Sequence, residues 1–179
     1  MFIALSVLFP IVFHAVGLGA VFLPIFLPIA ASIFFLPMVF VTAVAVLSPV
    51  LSFLFTGMPP ISPPILYIMI CELLVLVMVS KFLLNRSRLG IFWVLLFGLT
   101  ASRIVLFVLV TGFAALLRLP EQFTSVIWIA RGVPGVIMIL IVVPVLVQRI
   151  SNHSIFANRK SLEIYKKKKP YIRTAYPKG

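Results

Sequence analysis

Residues 38–84 read MVFVTAVAVLSPVLSFLFTGMPPISPPILYIMICELLVLVMVSKFLL and contain two apolar runs separated by a proline-rich stretch. The runs, 38–55 and 65–84, each have about the 20 residues that an α-helix needs to cross the hydrocarbon of a bilayer. Between them, residues 59–64 include four prolines, which cannot continue a helix because proline lacks the amide hydrogen. The stretch therefore predicts two membrane-spanning helices joined by an ordered loop over 56–64.

The composition of the whole chain supports this interpretation. Of its 179 residues, 63% are hydrophobic and 10% are charged, and no charged side chain precedes Glu72. Soluble domains are about 25% charged. A soluble domain of this size also leaves much of its surface in water, so it could not bury so many apolar side chains. The single Cys71 cannot form an internal disulfide. These features exclude an ordinary cytosolic enzyme, a disordered protein and a secreted disulfide scaffold, and they predict an integral membrane protein.

Four further apolar runs complete the predicted topology: 1–17, a second run that ends near residue 36, 91–116 and 123–148. Gly17-Leu18-Gly19 ends the first run, and Pro24 and Pro28 are expected to kink the second. The predicted fold class is all-α, a polytopic membrane protein with six transmembrane helices. The first two segments, at about 16–18 residues each, could instead form one kinked hairpin.

The basic residues predict the orientation. The net charge is +12, with nine of the fifteen basic residues at or beyond Arg149 and three more, Lys81, Arg86 and Arg88, in one short loop. Cytoplasmic loops carry an excess of lysine and arginine, so both termini are expected to be cytoplasmic. The outer loops are then 18–23, 57–63 and 118–122. Residues 1–150 are predicted to form the transmembrane substrate-binding domain, and residues 151–179 a solvated, disordered basic tail, or one that adheres to anionic lipid.

Three ionisable residues lie within the predicted spans: Glu72, Arg103 and Arg131. An uncompensated charge at such a depth costs about 2.5–3.5 kcal/mol on insertion scales, so we expect the three side chains to face one another inside the bundle. One interpretation is a structural ion pair between Glu72 and one arginine. The other is an outward-opening pocket, in which the surplus positive charge binds an anionic group by bidentate hydrogen bonds. Arg131 favours the second because Gly132-Val133-Pro134-Gly135 loosens its helix, and irregular backbone at membrane depth is tolerated where it is packed in protein or lines a cavity.

Weaker candidates surround these three. His14 lies near the outer end of the first span, where a lone histidine makes an interhelical hydrogen bond or a peripheral ligand contact. Small polar residues recur every four positions on one helix face, at Ser48, Ser52 and Thr56, a pattern that is typical of helix packing. The same face leads into the loop that holds Met58. Trp128, near a helix end, is an expected interfacial anchor. The predicted substrate-binding residues are Arg131, Arg103, Glu72, His14, Ser52, Thr56, Met58 and Trp128.

Enzyme motifs are absent from the sequence. It contains no aspartate, no HExxH, no GxSxG and no P-loop. We therefore expect no catalytic activity, no cofactor and no metal. The basic residues are explained by topology, so no nucleic-acid partner is predicted either. The function classes that remain are binding and transport.

The order of motifs along the chain resembles that of a known family. Leu47–Pro60 with its Ser-Pro and Thr-Gly-Met-Pro-Pro elements, then Glu72, Ser102-Arg103 and Gly132–Gly135, is similar to the substrate-binding S component of energy-coupling factor transporters. The resemblance covers about residues 2–148. It implies a prokaryotic plasma-membrane protein with six helices that captures a vitamin-like micronutrient on its outer side, with the 57–63 loop as a lid.

The resemblance also implies partners. An S component docks on a transmembrane coupling subunit that carries two ATPase subunits, and it topples in the membrane to release substrate inward. ATP is used by those partners, which agrees with the missing P-loop. Two alternatives stay open: a non-catalytic structural subunit of a cell-envelope complex, and a small stand-alone secondary transporter, which would normally need a larger or internally repeated bundle.

Overall fold

The computed structural model describes residues 1–17, 19–61, 64–112 and 132–150. All regular elements in these ranges are helices: α1 (Phe2–Ala15), α2 (Gly19–Phe22), α3 (Phe26–Phe35), α4 (Met38–Thr56), α5 (Ile65–Arg86), α6 (Ile91–Gly112) and α7 (Val133–Ile150). Four of them, α4 to α7, are long and apolar enough to cross a membrane, and α1 and α3 are shorter apolar helices. The predicted all-α, polytopic membrane class is confirmed. The orientation of the termini stays a prediction.

The proline-rich stretch and the glycine before it set the bounds of α4 and α5. α4 ends where Gly57 adopts a left-handed conformation, with φ of 71°, and its amide donates to the Phe53 carbonyl at 2.8 Å. Glycine is favoured at such a helix end because it has no Cβ to clash there. α5 then begins directly after Pro64. Both helices lie within two residues of the predicted runs 38–55 and 65–84.

The second predicted span is broken where the sequence suggested a kink. The break falls at residues 23–25, between α2 and α3, and Leu23 has a positive φ of 50°. Pro24 lies in this break, whereas Pro28 is the third residue of α3. In the first turn of a helix, amide hydrogens have no intrahelical acceptor, so a proline there removes no hydrogen bond. Only Pro24 therefore lies at the interruption.

Helices α1 to α6 form a bundle with α5 at its centre. α5 packs against α4, α6 and α3, and α1 packs against α3 and α4. The core side chains include Phe26, Ile33, Leu73 and Leu99, each almost fully buried. Gly98 brings α6 close to α5, because a Cβ at this position would overlap the Ser80 hydroxyl and come within 3.2 Å of the Leu76 side chain.

Lys81 lies inside α5, as does Arg86, and not in the short basic loop that the charge pattern predicts. Its Nζ donates to the Leu36 carbonyl at 2.6 Å, at the C-terminal end of α3. A cation is favourable there because the last carbonyls of a helix are unpaired and the helix dipole is negative at this end.

Contacts divide the chain into two compact units, Met1–Pro144 and Val145–Gly179. The first unit contains α1 to α6 and the first part of α7, and it holds the cavity described below. Residues 151–179 of the second unit, which carry the predicted basic tail, lie outside the described residues. The proposed division at residue 150 and the disorder of the tail therefore stay predictions.

Candidate functional site

A cavity of about 580 Å³ opens at one end of the bundle. Its walls come from the end of α1, the start of α3, the end of α4, the 57–60 loop, the first part of α5 and the second half of α6, with Gly132 also contributing. The turn 87–90 between α5 and α6 lies at the opposite end of both helices. Small-molecule sites typically have volumes of about 300–1,000 Å³, so the cavity is large enough for a compact organic ligand.

Most of the cavity wall is apolar. Of the 21 lining residues in the described ranges, five carry polar side chains: His14, Ser52, Thr56, Glu72 and Arg103. The remaining residues are prolines, glycines, aliphatic residues, two methionines and Phe26. A ligand in this cavity would bury an apolar body against the wall and use few polar contacts for orientation.

Glu72 and Arg103 form an ion pair that joins α5 to α6. The two helices are consecutive and antiparallel, so residues equally distant from the turn 87–90 lie at the same height. Glu72 is 14 residues before the end of α5 at Arg86, and Arg103 is 12 residues after the start of α6 at Ile91. At about 1.5 Å per residue, the pair lies about 20 Å from the turn, well inside the bundle.

Phe26 completes the surroundings of Arg103. The centre of the guanidinium lies 5.0 Å from the centroid of the Phe26 ring, which is a cation–π contact. Phe26 is the first residue of α3 and is 1% exposed. Three helices, α3, α5 and α6, therefore meet at Arg103.

The two members of the pair are not equally accessible. The side chain of Arg103 is 19% exposed and that of Glu72 is 5% exposed. The Nε atom of Arg103 is buried and has no hydrogen-bond acceptor among the described residues. Arg103 is therefore the more exposed member of the pair, and its guanidinium keeps a hydrogen-bond donor without an acceptor among the described residues.

The loop above the cavity is held by its own hydrogen bonds. The Thr56 hydroxyl donates to the Ser52 carbonyl at 2.6 Å and accepts from the Met58 amide at 3.3 Å. The Leu66 amide donates to the Pro60 carbonyl at 3.2 Å, which ties the loop to the first turn of α5. These bonds order the loop at the cavity entrance.

His14 lies at the end of α1 on the cavity wall. Its Nδ1–H donates to the Pro10 carbonyl at 2.8 Å, which leaves Nε2 as the acceptor of the ring in this tautomer. Its ring packs so close to Gly19 that a Cβ at position 19 would overlap ring atoms. The absence of a side chain at Gly19 thus allows the chain after α1 to cross the imidazole.

The cavity brings together six of the eight residues predicted to bind substrate. These are His14, Ser52, Thr56, Met58, Glu72 and Arg103. The other two, Trp128 and Arg131, lie outside the described residues, although Gly132 lines the cavity. Ser48, the first member of the four-residue repeat, is fully buried and is not part of the wall.

Sequence analysis did not identify Phe26 or Met69 as wall residues. Phe26 is one of 17 phenylalanines, and nothing in its immediate sequence separates it from those that face lipid. The nearest signal was Pro24, which marks the break that places Phe26 at the start of α3. Met69 precedes Glu72 by three residues, so a helix places both on the same side of α5.

No metal site is formed by the residues described: among them, no three histidine, cysteine, aspartate or glutamate side chains come together. Within the same ranges, Glu72 and Arg103 give the cavity one negative and one positive charge. The surplus positive charge expected from Arg131 stays a prediction. Comparisons with protein-family models, with curated proteins and with solved structures gave no match.

Proposed function

We propose that this protein is the substrate-binding subunit of an energy-coupling factor importer in a prokaryotic plasma membrane. It captures a small, vitamin-like micronutrient with an anionic group on the outer face. A transmembrane coupling subunit and two ATPase subunits then drive import. The observation that supports this proposal best is that one cavity contains six of the predicted substrate-binding residues, at the end of the bundle away from the turn that holds Arg88.

Two further features support the proposal. The cavity volume of about 580 Å³ suits a molecule of vitamin size. If the loop near Arg86 and Arg88 is cytoplasmic, as the positive-inside rule predicts, the cavity opens outward, where an importer first meets its substrate. Arg131, next to the wall residue Gly132, remains a proposed anion contact.

The first experiment is identification of a small molecule that co-purifies with the protein. The full chain is extracted in mild detergent, and small molecules released by denaturation are identified by mass spectrometry. Met69→Trp fills the cavity from α5, and Met78→Trp places the same side chain on the exposed part of that helix, where Met78 is 51% exposed. We expect a molecule from the wild type and from Met78→Trp, and at least about tenfold less from Met69→Trp.

Equal release from both variants would show that the molecule is not held in this cavity. A second measurement addresses the partners. Pull-down from a native membrane should recover a coupling subunit together with an ATPase pair. Recovery of cell-envelope proteins alone would favour the structural alternative.

The structural alternative has its own support in the ion pair. Glu72 and Arg103 join two neighbouring helices and neutralise each other, as a purely structural pair would. That role requires no ligand, so a protein from which no small molecule is released and which co-purifies with envelope proteins would be assigned to it.

A further inference from the structure

The charges at the inner end of the cavity constrain which ligand group can bind there. Glu72 and Arg103, the charged wall residues in the described ranges, are already paired, so their charges sum to zero. A ligand carboxylate that reached Arg103 would also approach the Glu72 carboxylate, and two carboxylates would then share one guanidinium. Like charges at short range repel, and an apolar surrounding strengthens that repulsion. An uncharged ligand group avoids this cost.

The guanidinium of Arg103 determines the polarity of the contact. Both members of the pair line the cavity, and the buried Nε of Arg103 has no hydrogen-bond acceptor among the described residues, so it remains a donor for a ligand. A guanidinium only donates hydrogen bonds. The complementary group is therefore an acceptor, such as an amide or ketone oxygen or a ring nitrogen.

The rest of the wall determines the body of the ligand. Around the pair, the wall is formed by side chains such as Phe26, Ile68, Met69 and Leu106. Ile68 and Leu106 also pack together in one buried cluster with Val110. A molecule that fills the space beside them loses few hydrogen bonds to water only if its body is apolar.

We propose that the cavity binds a predominantly apolar molecule whose inner end is an uncharged hydrogen-bond acceptor, which Arg103 contacts while Glu72 neutralises the arginine. This inference rests on the proposed function, because it takes the cavity as the substrate site. It places any anionic group of the substrate away from the inner end, toward the cavity entrance.

The test compares two probes that differ in charge and share one apolar body, 1-naphthylacetamide and 1-naphthylacetate. Binding to the full-length protein in lipid nanodiscs is measured by equilibrium dialysis at neutral pH, and partitioning into protein-free nanodiscs is subtracted. We expect the amide to bind the wild type at least about tenfold more tightly than the carboxylate. Met69→Trp should abolish saturable binding of the amide, and Met78→Trp should preserve it.

The double variant Glu72→Gln/Arg103→Gln removes both charges together with the guanidinium that contacts the ligand acceptor. Amide-probe affinity should fall at least about tenfold, and an affinity that stays within about threefold of the wild type would overturn the role of Arg103. A carboxylate that binds the wild type as tightly as the amide, or no saturable binding of either probe, overturns the inference. A carboxylate preference leaves the proposed importer role intact, whereas failure of that role appears as co-purification without ATPase subunits.

Discussion

Arg103 on α6 lies with its guanidinium 5.0 Å from the ring centroid of Phe26, the first residue of α3. The same guanidinium pairs with Glu72 on α5. One arginine thus connects three helices at the inner end of the cavity. It links α3, the short helix that follows the interruption at residues 23–25, to the centre of the bundle.

Substitution of Phe26 should weaken this link. Phe26→Leu keeps an apolar side chain but removes the aromatic face and some buried volume, so we expect a loss of about 1–3 kcal/mol in the free energy of unfolding. Phe92→Leu, at a residue that is 45% exposed, should change it by less than about 0.5 kcal/mol. Reversible unfolding in mixed detergent micelles measures both. Equal losses would show that the contact with Arg103 contributes nothing.

The ion pair should behave non-additively. Glu72→Gln alone leaves Arg103 without its countercharge in a largely buried position, and loss of one partner of a buried pair costs about 3–5 kcal/mol. Glu72→Gln/Arg103→Gln leaves no buried charge and should be more stable than the single variant. The same unfolding assay, run as a double-mutant cycle, gives the coupling energy. A double variant that is less stable than Glu72→Gln would contradict this account.

Close packing of α5 and α6 predicts a strong effect at Gly98. Gly98→Ala places a methyl group against the Ser80 hydroxyl and the Leu76 side chain, and we expect a loss of about 1–3 kcal/mol in unfolding free energy. Gly90→Ala is the matched control, because a Cβ there has no atom within 4 Å. Adding Ser80→Gly to Gly98→Ala should restore part of the loss. If it restores none, the Ser80 hydroxyl is not the limiting contact.

The orientation can be tested with single cysteines in a Cys71→Ser background. Met58→Cys lies in the loop at the cavity entrance, and Arg88→Cys lies in the turn after α5; both positions are exposed. If the cavity opens outward, a membrane-impermeant maleimide should label Met58→Cys on intact cells and Arg88→Cys only after permeabilisation. The reverse pattern would invert the topology and remove the support for outside capture.

Much of the fold was predictable because the residues that end the helices, glycine and proline, act on the backbone next to them. Gly57 and the prolines after it place the end of α4 and the start of α5 within two residues of the predicted bounds. The pairing of Glu72 with an arginine followed from the cost of a lone charge in lipid. The division of the second span into α2 and α3 was less visible, since hydropathy is high on both sides of the break. Phe26 could not be selected because its role depends on which helix face α5 and α6 present to it.

The shortness of α1 has a consequence for the surrounding lipid. With 14 residues, α1 is about 21 Å long, against a hydrocarbon thickness of about 30 Å. Its exposed side chains, including Leu8, Ile11 and Val12, are apolar and suited to acyl chains. If α1 crosses the bilayer, as the six-span topology predicts, local thinning of the bilayer accommodates it at a cost of fractions of a kcal/mol per Å of mismatch. The protein is then accommodated more easily by thin bilayers than by thick ones, and lipid chain length becomes a variable that tunes its stability.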